Sequence, residues 1–304
     1  MALPTWMLAT LASAFLQNLR SALQKHLKTH MGTTAATFCR FGFGLPFAGL
    51  YAGLVFGVTG LALPTPTAAF FGWVSLGAVA QIAATFLLVH LFSYRSFAVG
   101  SAYARTEPAM AVGWSALFLG ETGSPTTLAA VALSVAGVML VSVARTPLTL
   151  GTLARSALQP NARIGIASGA AFGLCSVSVR CASLSLDGGA PPMSRAIFTL
   201  VVILTLQTLA MLAWLAWREP GELAKIGRAW KPAVGTGFVG ASASFGWFLA
   251  MSLTAVPAVK ALGQTEILLS IGSGALWFRE HVNRLELIGC LLVGAGAVAL
   301  VLGR

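Results

Sequence analysis

Glu107 and Glu266 are the residues of this 304-residue sequence best placed to do chemistry. Each follows a threonine, each stands well inside a long apolar run, and 159 positions separate them. An ionisable side chain at bilayer depth costs at least about 2.5–3.5 kcal/mol, so it normally faces a cavity or a partner. Six bases lie in similar apolar surroundings: Arg20, Arg40, Arg105, Arg180, Arg195 and Lys260. Six bases against two carboxylates suit an organic anion or a zwitterion better than a lipophilic cation. The two glutamates could act as proton-coupling carboxylates, or each could make a structural hydrogen bond, with Arg105 the nearest partner for Glu107. Arg40 and Arg195 open their helices, where a positive charge meets the positive end of the dipole. Each therefore needs a partner elsewhere, either a substrate carboxylate or a second helix. The substrate-binding candidates are Arg40, Arg105, Glu107, Arg195, Lys260, Gln264 and Glu266. Arg20 and Arg180 fit interface positions with snorkelling head groups as readily as a cavity.

The elements that must hold these groups follow from composition. Hydrophobic residues make up 57% of the chain and charged residues 9%, with a mean hydropathy of +0.84. A soluble domain needs roughly a quarter of its residues charged, so the soluble class is excluded. At about 20 residues per crossing, the apolar runs predict ten spans: 4–24, 32–57, 67–93, 96–119, 123–145, 163–185, 192–217, 231–253, 256–278 and 284–303. The expected fold class is an all-α polytopic membrane protein. No cleavable signal peptide is expected, because no basic segment precedes the first apolar run. The net charge of +11 is scattered between apolar runs. A nucleic-acid binder would carry it on one exposed face.

Sliding the sequence over itself by 159 residues superimposes Thr106-Glu107 on Thr265-Glu266, Gly113 on Gly272 and Glu121 on Glu280. The match runs through Leu128 and Leu287 to Ala136-Gly137 and Ala295-Gly296, ten identities over residues 105–142 without a gap. Apolar bias inflates the Ala, Leu and Gly matches. It does not explain two equally spaced glutamates in a chain with only eight acidic residues. The expected organisation is a five-helix unit over 1–145, a linker over 146–162 and a second five-helix unit over 163–304. An odd number of crossings inverts the second copy, an architecture that recurs in secondary transporters with the site where the repeats meet. Lys260 aligns with Ser101, so symmetry alone does not place a lysine there. Glu121 and Glu280 close helices, where an anion is disfavoured, so a structural role beside a basic or capping partner is expected. Glycines four apart at Gly165, Gly169, Gly173 and at Gly49, Gly53, Gly57 predict close helix contacts.

Certain segments carry a family likeness. They are Cys39-Arg40-Phe41, Leu117-Phe118-Leu119-Gly120-Glu121 and Gly137-Val138-Met139-Leu140-Val141 in the first half. Leu276-Trp277-Phe278-Arg279-Glu280 and Gly294-Ala295-Gly296-Ala297-Val298 follow in the second. With these segments the chain resembles the EamA-like proteins of the drug/metabolite transporter superfamily, whose members export amino acids, other metabolites and drugs. Arg279 stands where the family has glycine, and the first span is unusually polar. The resemblance implies a secondary exporter of a small polar metabolite, such as an amino acid or organic anion, working by alternating access. The alternatives are a multidrug cation carrier or a non-transporting membrane scaffold. Small multidrug-resistance proteins place an essential glutamate in the first span, and this first span has no acidic residue.

Twelve Lys and Arg residues, from Lys25 and Lys28 to Arg279 and Arg284, fall on one side of the ten-span scheme. The side with both termini holds little beyond Arg304. Positive charge marks the cytoplasmic side, which puts the termini outside, whereas the resemblance implies cytoplasmic termini. We follow the charges. The expected location is a bacterial inner membrane, crossed many times, as a monomer or homodimer. No P-loop pattern appears. His26, His30, His90 and His281 form no catalytic motif, and Cys39, Cys175, Cys181 and Cys290 have no metal-ligand spacing. No enzyme activity, cofactor or metal is therefore expected. Trp114, Trp247 and Trp277 are pocket candidates, while Trp6, Trp214, Trp217 and Trp230 read as interface anchors.

Overall fold

A computed structural model describes residues 3–93, 103–121, 123–144, 160–187, 189–268 and 284–302. The described residues are helical apart from turns and one pair of two-residue strands. In chain order the helices are α1 (Thr5–Leu27), α2 (Thr33–Gly42), α3 (Gly44–Ala52), α4 (Ala68–Leu91), α5 (Glu107–Leu119) and α6 (Pro125–Ala144). They continue as α7 (Pro160–Leu184), α8 (Pro192–Arg218), α9 (Pro220–Arg228), α10 (Trp230–Leu253), α11 (Val256–Gly263) and α12 (Arg284–Leu302). A π-helical turn, Gly53–Val58, prolongs α3.

Local sequence sets several boundaries. Proline, which has no N–H to leave unpaired, stands in the first turn of α5, α8, α9 and α11. The Thr67 hydroxyl caps α4 by accepting from the Phe70 N–H. The last turn of α5 closes where Gly120 takes a left-handed φ of 66° and the Glu121 N–H returns to the Ser115 carbonyl. Among the described residues, five segments are long and apolar enough to cross a bilayer: Thr33–Val58 (α2, α3 and the π turn), α4, α7, α8 and α10. α6 is a shorter apolar helix. α1 buries Arg20, Gln24 and Thr10 against protein, which accounts for its polarity.

Packing crosses between the two halves of the chain. α1 lies along α10 and α7 along α4, so the first long helix of either half rests on a later helix of the other. α6 and α12 pack together with their glycines in register: a Cβ on Gly137 would stand 2.5 Å from the Gly289 carbonyl oxygen, and one on Gly289 2.6 Å from that of Gly137. Gly237 of α10 is pressed against the Phe43 backbone, where no side chain fits.

The connections at the two ends of the bundle are also tied across the halves. At one end Thr65–Pro66 pairs antiparallel with Leu186–Asp187, and the Thr67 hydroxyl donates to the Ser185 carbonyl at 2.8 Å. At the other, the Gly32 N–H donates to Glu222 at 2.6 Å and the Thr34 hydroxyl to Glu219 at 2.9 Å. That second end carries the basic interfacial helix α9. Trp214, Trp217 and Trp230 are exposed there, with the Arg218 guanidinium 4.0 Å from the Trp217 ring centroid.

Two expectations are corrected. Gly49, Gly53 and Gly57 make no helix contact, since a Cβ on any of them would meet nothing within 4 Å among the described residues. Their four-residue spacing faces away from the bundle. Trp6 is 7% exposed and belongs to the protein core, unlike the other three tryptophans read as interface anchors.

Candidate functional site

The spans expected over 96–119 and 256–278 do not run as uninterrupted α-helices. Each is broken immediately before its glutamate, and the two breaks are built alike. In the first, the Thr106 N–H and hydroxyl both return to the Tyr103 carbonyl, at 3.1 and 2.7 Å. In the second, the Thr265 N–H and hydroxyl return to the Leu262 carbonyl, at 3.1 and 2.8 Å. The ladder resumes through Ala109 N–H to the Thr106 carbonyl and Leu268 N–H to the Thr265 carbonyl, both at 3.0 Å. Each contact recurs at the 159-residue spacing seen in the sequence. Bonds of the i→i−3 kind tighten the chain there, and each carboxylate then opens a new helical segment, where the dipole favours an anion.

Glu266 is buried and Glu107 half-buried, and each is paired with a base from the other half. Lys260 Nζ lies 2.7 Å from Glu107 Oε1, with the two side chains 10% and 14% exposed. Arg105 donates from Nη1 and Nη2 to Glu266 Oε2 and Oε1 at 3.2 and 3.3 Å, a two-pronged pair. The partnership expected between Arg105 and Glu107 is therefore replaced by an exchange. Two residues apart across a turn, those side chains diverge toward the opposite helix. A second layer ties the pairs together. Gln17 of α1 accepts from the Trp247 indole N–H at 3.1 Å and offers its amide to Glu266 at 3.4 Å. Lys260 Nζ lies 4.6 Å from the Trp247 ring centroid, a cation–π contact.

Of these groups Gln17, Arg105, Glu107 and Glu266 border a cavity of about 90 Å³, whose walls also include Arg20 and Phe172. Close approach of α7 shapes one wall: a Cβ on Gly169 would stand 2.9 Å from the Ala104 carbonyl oxygen, and one on Gly173 3.1 Å from the Ala111 nitrogen. Gly165 is buried on the same helix. Trp114 fixes that contact by donating to the Ala170 carbonyl at 3.0 Å.

The remaining candidates lie apart from the cavity wall. Arg40 is 3% exposed and donates to Thr85 Oγ1 at 2.7 Å and Ser244 Oγ at 3.3 Å, so it ties α2 to α4 and α10. Gln264 is buried beside the second break, with its Oε1 unpartnered. Arg195 is half-buried on α8 and does not line the cavity. Glu121 accepts from Arg180 Nη2 at 3.1 Å, while Arg180 Nη1 donates to the Met251 carbonyl at 2.8 Å, joining the ends of α5, α7 and α10. Glu280, Ser101 and Trp277 lie outside the described residues. The residue undervalued from sequence is Arg20. An arginine near the end of a polar helix suits an interface, yet it is 1% exposed and lines the cavity. The signal available was its company: Gln17, Gln24 and Arg20 share one face of α1 at helical spacing.

Residues 4–143 match the family model described as the EamA-like transporter family, part of the drug/metabolite transporter superfamily. That match covers 140 of the 304 residues, so it is the first half of the chain that is similar to this family. The described helices that are long and apolar enough to cross a membrane make the chain a multi-pass membrane protein, and the matched family is one of transporters. A solved crystal structure of a protein shares this fold, with a TM-score of 0.70 at 19% identity over 97% of this chain and 95% of the other. No curated protein matches the sequence significantly.

Proposed function

We propose that the chain is a secondary active exporter of a small polar metabolite, an amino acid or organic anion, carried between two inverted five-helix repeats that alternate in access. The observation that carries this reading is the pair of matched helix breaks. Interrupted helices at corresponding points of two repeats are where carriers place substrate near the bilayer midplane, and here each break presents a carboxylate bonded to the opposite half. Packing that exchanges helices between the halves, at both ends of the bundle, supports the same symmetry. Arg105, Glu107, Lys260 and Glu266 bind or gate the substrate in this reading, and Glu121 ties the helix ends. In this reading the chain sits in a bacterial inner membrane, with its basic end on the cytoplasmic side as the positive-inside rule requires.

The physical logic lies in the ion pairs. Two charges taken out of water are held only while each has the other, so a charged substrate that engages one member releases its partner. The released group must find new contacts, which couples occupancy to movement of the halves. Everted membrane vesicles exposed to pooled radiolabelled amino acids and organic acids test the proposal. Uptake by the wild type should fall in Lys260→Ala and in Glu266→Gln. Flux unaffected by both substitutions would overturn the assignment of this cavity.

A further inference from the structure

Arg20 differs from every other buried base near the cavity. Arg105 and Lys260 are neutralised by glutamates, and Arg40 has two hydroxyl partners. Among the described residues the Arg20 side chain makes no hydrogen bond and no ion pair, and its Nε is buried without a partner. Glu266 and Glu107 attract it from across the cavity, but each is already engaged with its own base. Its aliphatic stem is fixed: a Cβ on Gly240 would stand 3.6 Å from Arg20 Cδ and 3.1 Å from Arg40 Cγ, so that glycine leaves the room in which both arginine stems pass. The outcome is a guanidinium with a fixed stem, 1% exposed, on the wall of the cavity, with its buried Nε–H unpartnered.

A guanidinium in such a place is costly unless something anionic completes it. The pairs Arg105–Glu266 and Lys260–Glu107 each close on themselves, which leaves Arg20 as the charged group of the cavity wall without an opposite charge of its own. Arg also suits a planar anion, since its parallel N–H groups meet the two oxygens of one carboxylate. We propose that Arg20 is the anchor for the anionic group of the substrate, a single carboxylate, and so sets the transporter's preference for monoanionic and zwitterionic solutes over cations. This deepens the proposed transport function and rests on it. The crossed ion pairs offset one another, so among the residues that line the cavity Arg20 is the one that supplies the charge selectivity.

The test uses the purified full-length protein with acetate as the probe and acetamide as its neutral isostere, at constant ionic strength. Acetate should quench or shift Trp247 fluorescence saturably and acetamide should not. Arg20→Gln should weaken acetate binding about tenfold or more, the loss of one charge-assisted contact, and Arg20→Lys should retain part of it. Removing an uncompensated buried charge should also leave the melting temperature unchanged or raised, whereas a structural Arg20 would lower it. Equal responses to acetate and acetamide in the wild type would overturn the anchor without any variant, as would unaltered acetate binding in Arg20→Gln. The two proposals fail separately. Acetate binding that depends on Arg20 without flux of any acid removes the transport reading alone. Flux of zwitterions with an unchanged KM in Arg20→Gln removes the anchor alone.

Discussion

Lys260 holds Glu107 at 2.7 Å, although 153 residues separate them in the chain. The contact fastens the short helix α11 to the first turn of α5, and neither side chain can leave it without stranding a charge in a dry interior. Lys260→Ala should therefore destabilise the protein by about 3–5 kcal/mol, the usual cost of breaking a buried pair from one side. Adding Glu107→Gln to that variant should restore much of the stability but not transport. Urea unfolding of the two variants in detergent micelles, read beside vesicle flux, separates the structural loss from the functional one.

The Arg180 contact predicts an ordering. Arg180→Ala strands both Glu121 and the Met251 carbonyl, whereas Glu121→Gln keeps an acceptor for Arg180. The arginine variant should lose roughly 1–3 kcal/mol and the glutamine variant less. A thermal melt of each is sufficient to check it.

Glycines supply a contrast within one residue type. Gly137→Ala and Gly289→Ala push a methyl group into the facing backbone and should each cost about 1–3 kcal/mol or more. Gly49→Ala meets open space and should leave the melting temperature unchanged. An equal loss at all three positions would contradict this packing of α6 on α12.

At the basic end, Glu222 titrates with a defined sign. Burial raises its carboxyl, but hydrogen bonds from Lys225 and the Gly32 N–H, with the charges of Lys225 and Lys28, outweigh this and hold it below the usual carboxylate value. A depressed folded pKa gives stability that is present above the unfolded value and lost as pH falls through the folded one. The tie between α9 and the α1–α2 connection should weaken on acidification below about pH 4.5. Protection of the Gly32 amide from hydrogen exchange, taken relative to the intrinsic rate at each pH, should fall there in the wild type. In Glu222→Gln it should be low at every pH.

Much of this architecture was legible in the sequence, for identifiable reasons. Glutamate is so rare in the chain that the spacing of Glu107 and Glu266 could not hide, and that spacing located both helix breaks. The breaks themselves were not visible, because they are made by threonine hydroxyls and N–H groups returning to carbonyls three residues back, which apolar periodicity does not register. The exchange of ion-pair partners was likewise out of reach. Arg105 is two residues from Glu107 in the chain, and only packing of distant helices decides that it reaches Glu266 instead. The two glycine series show the same limit from another side: Gly169 and Gly173 meet α5 while Gly49 and Gly53 meet nothing. Spacing identifies a face, but not what lies opposite it.

The crossing of α1 onto α10 has a consequence for how the chain is made. About 200 residues lie between Leu27, where α1 ends, and Trp230, where α10 begins. At roughly 5–20 residues per second that is a wait of about 10–40 s during synthesis. Throughout it, the part of α1 that rests on α10, which includes Ala9, Ser13 and Arg20, lacks that partner. The early helices must therefore be sheltered by the insertion machinery, or rest at the membrane surface, until the late ones arrive. A ribosome stalled before residue 230 should leave α1 accessible to aqueous labelling reagents, and release of the stall should protect it.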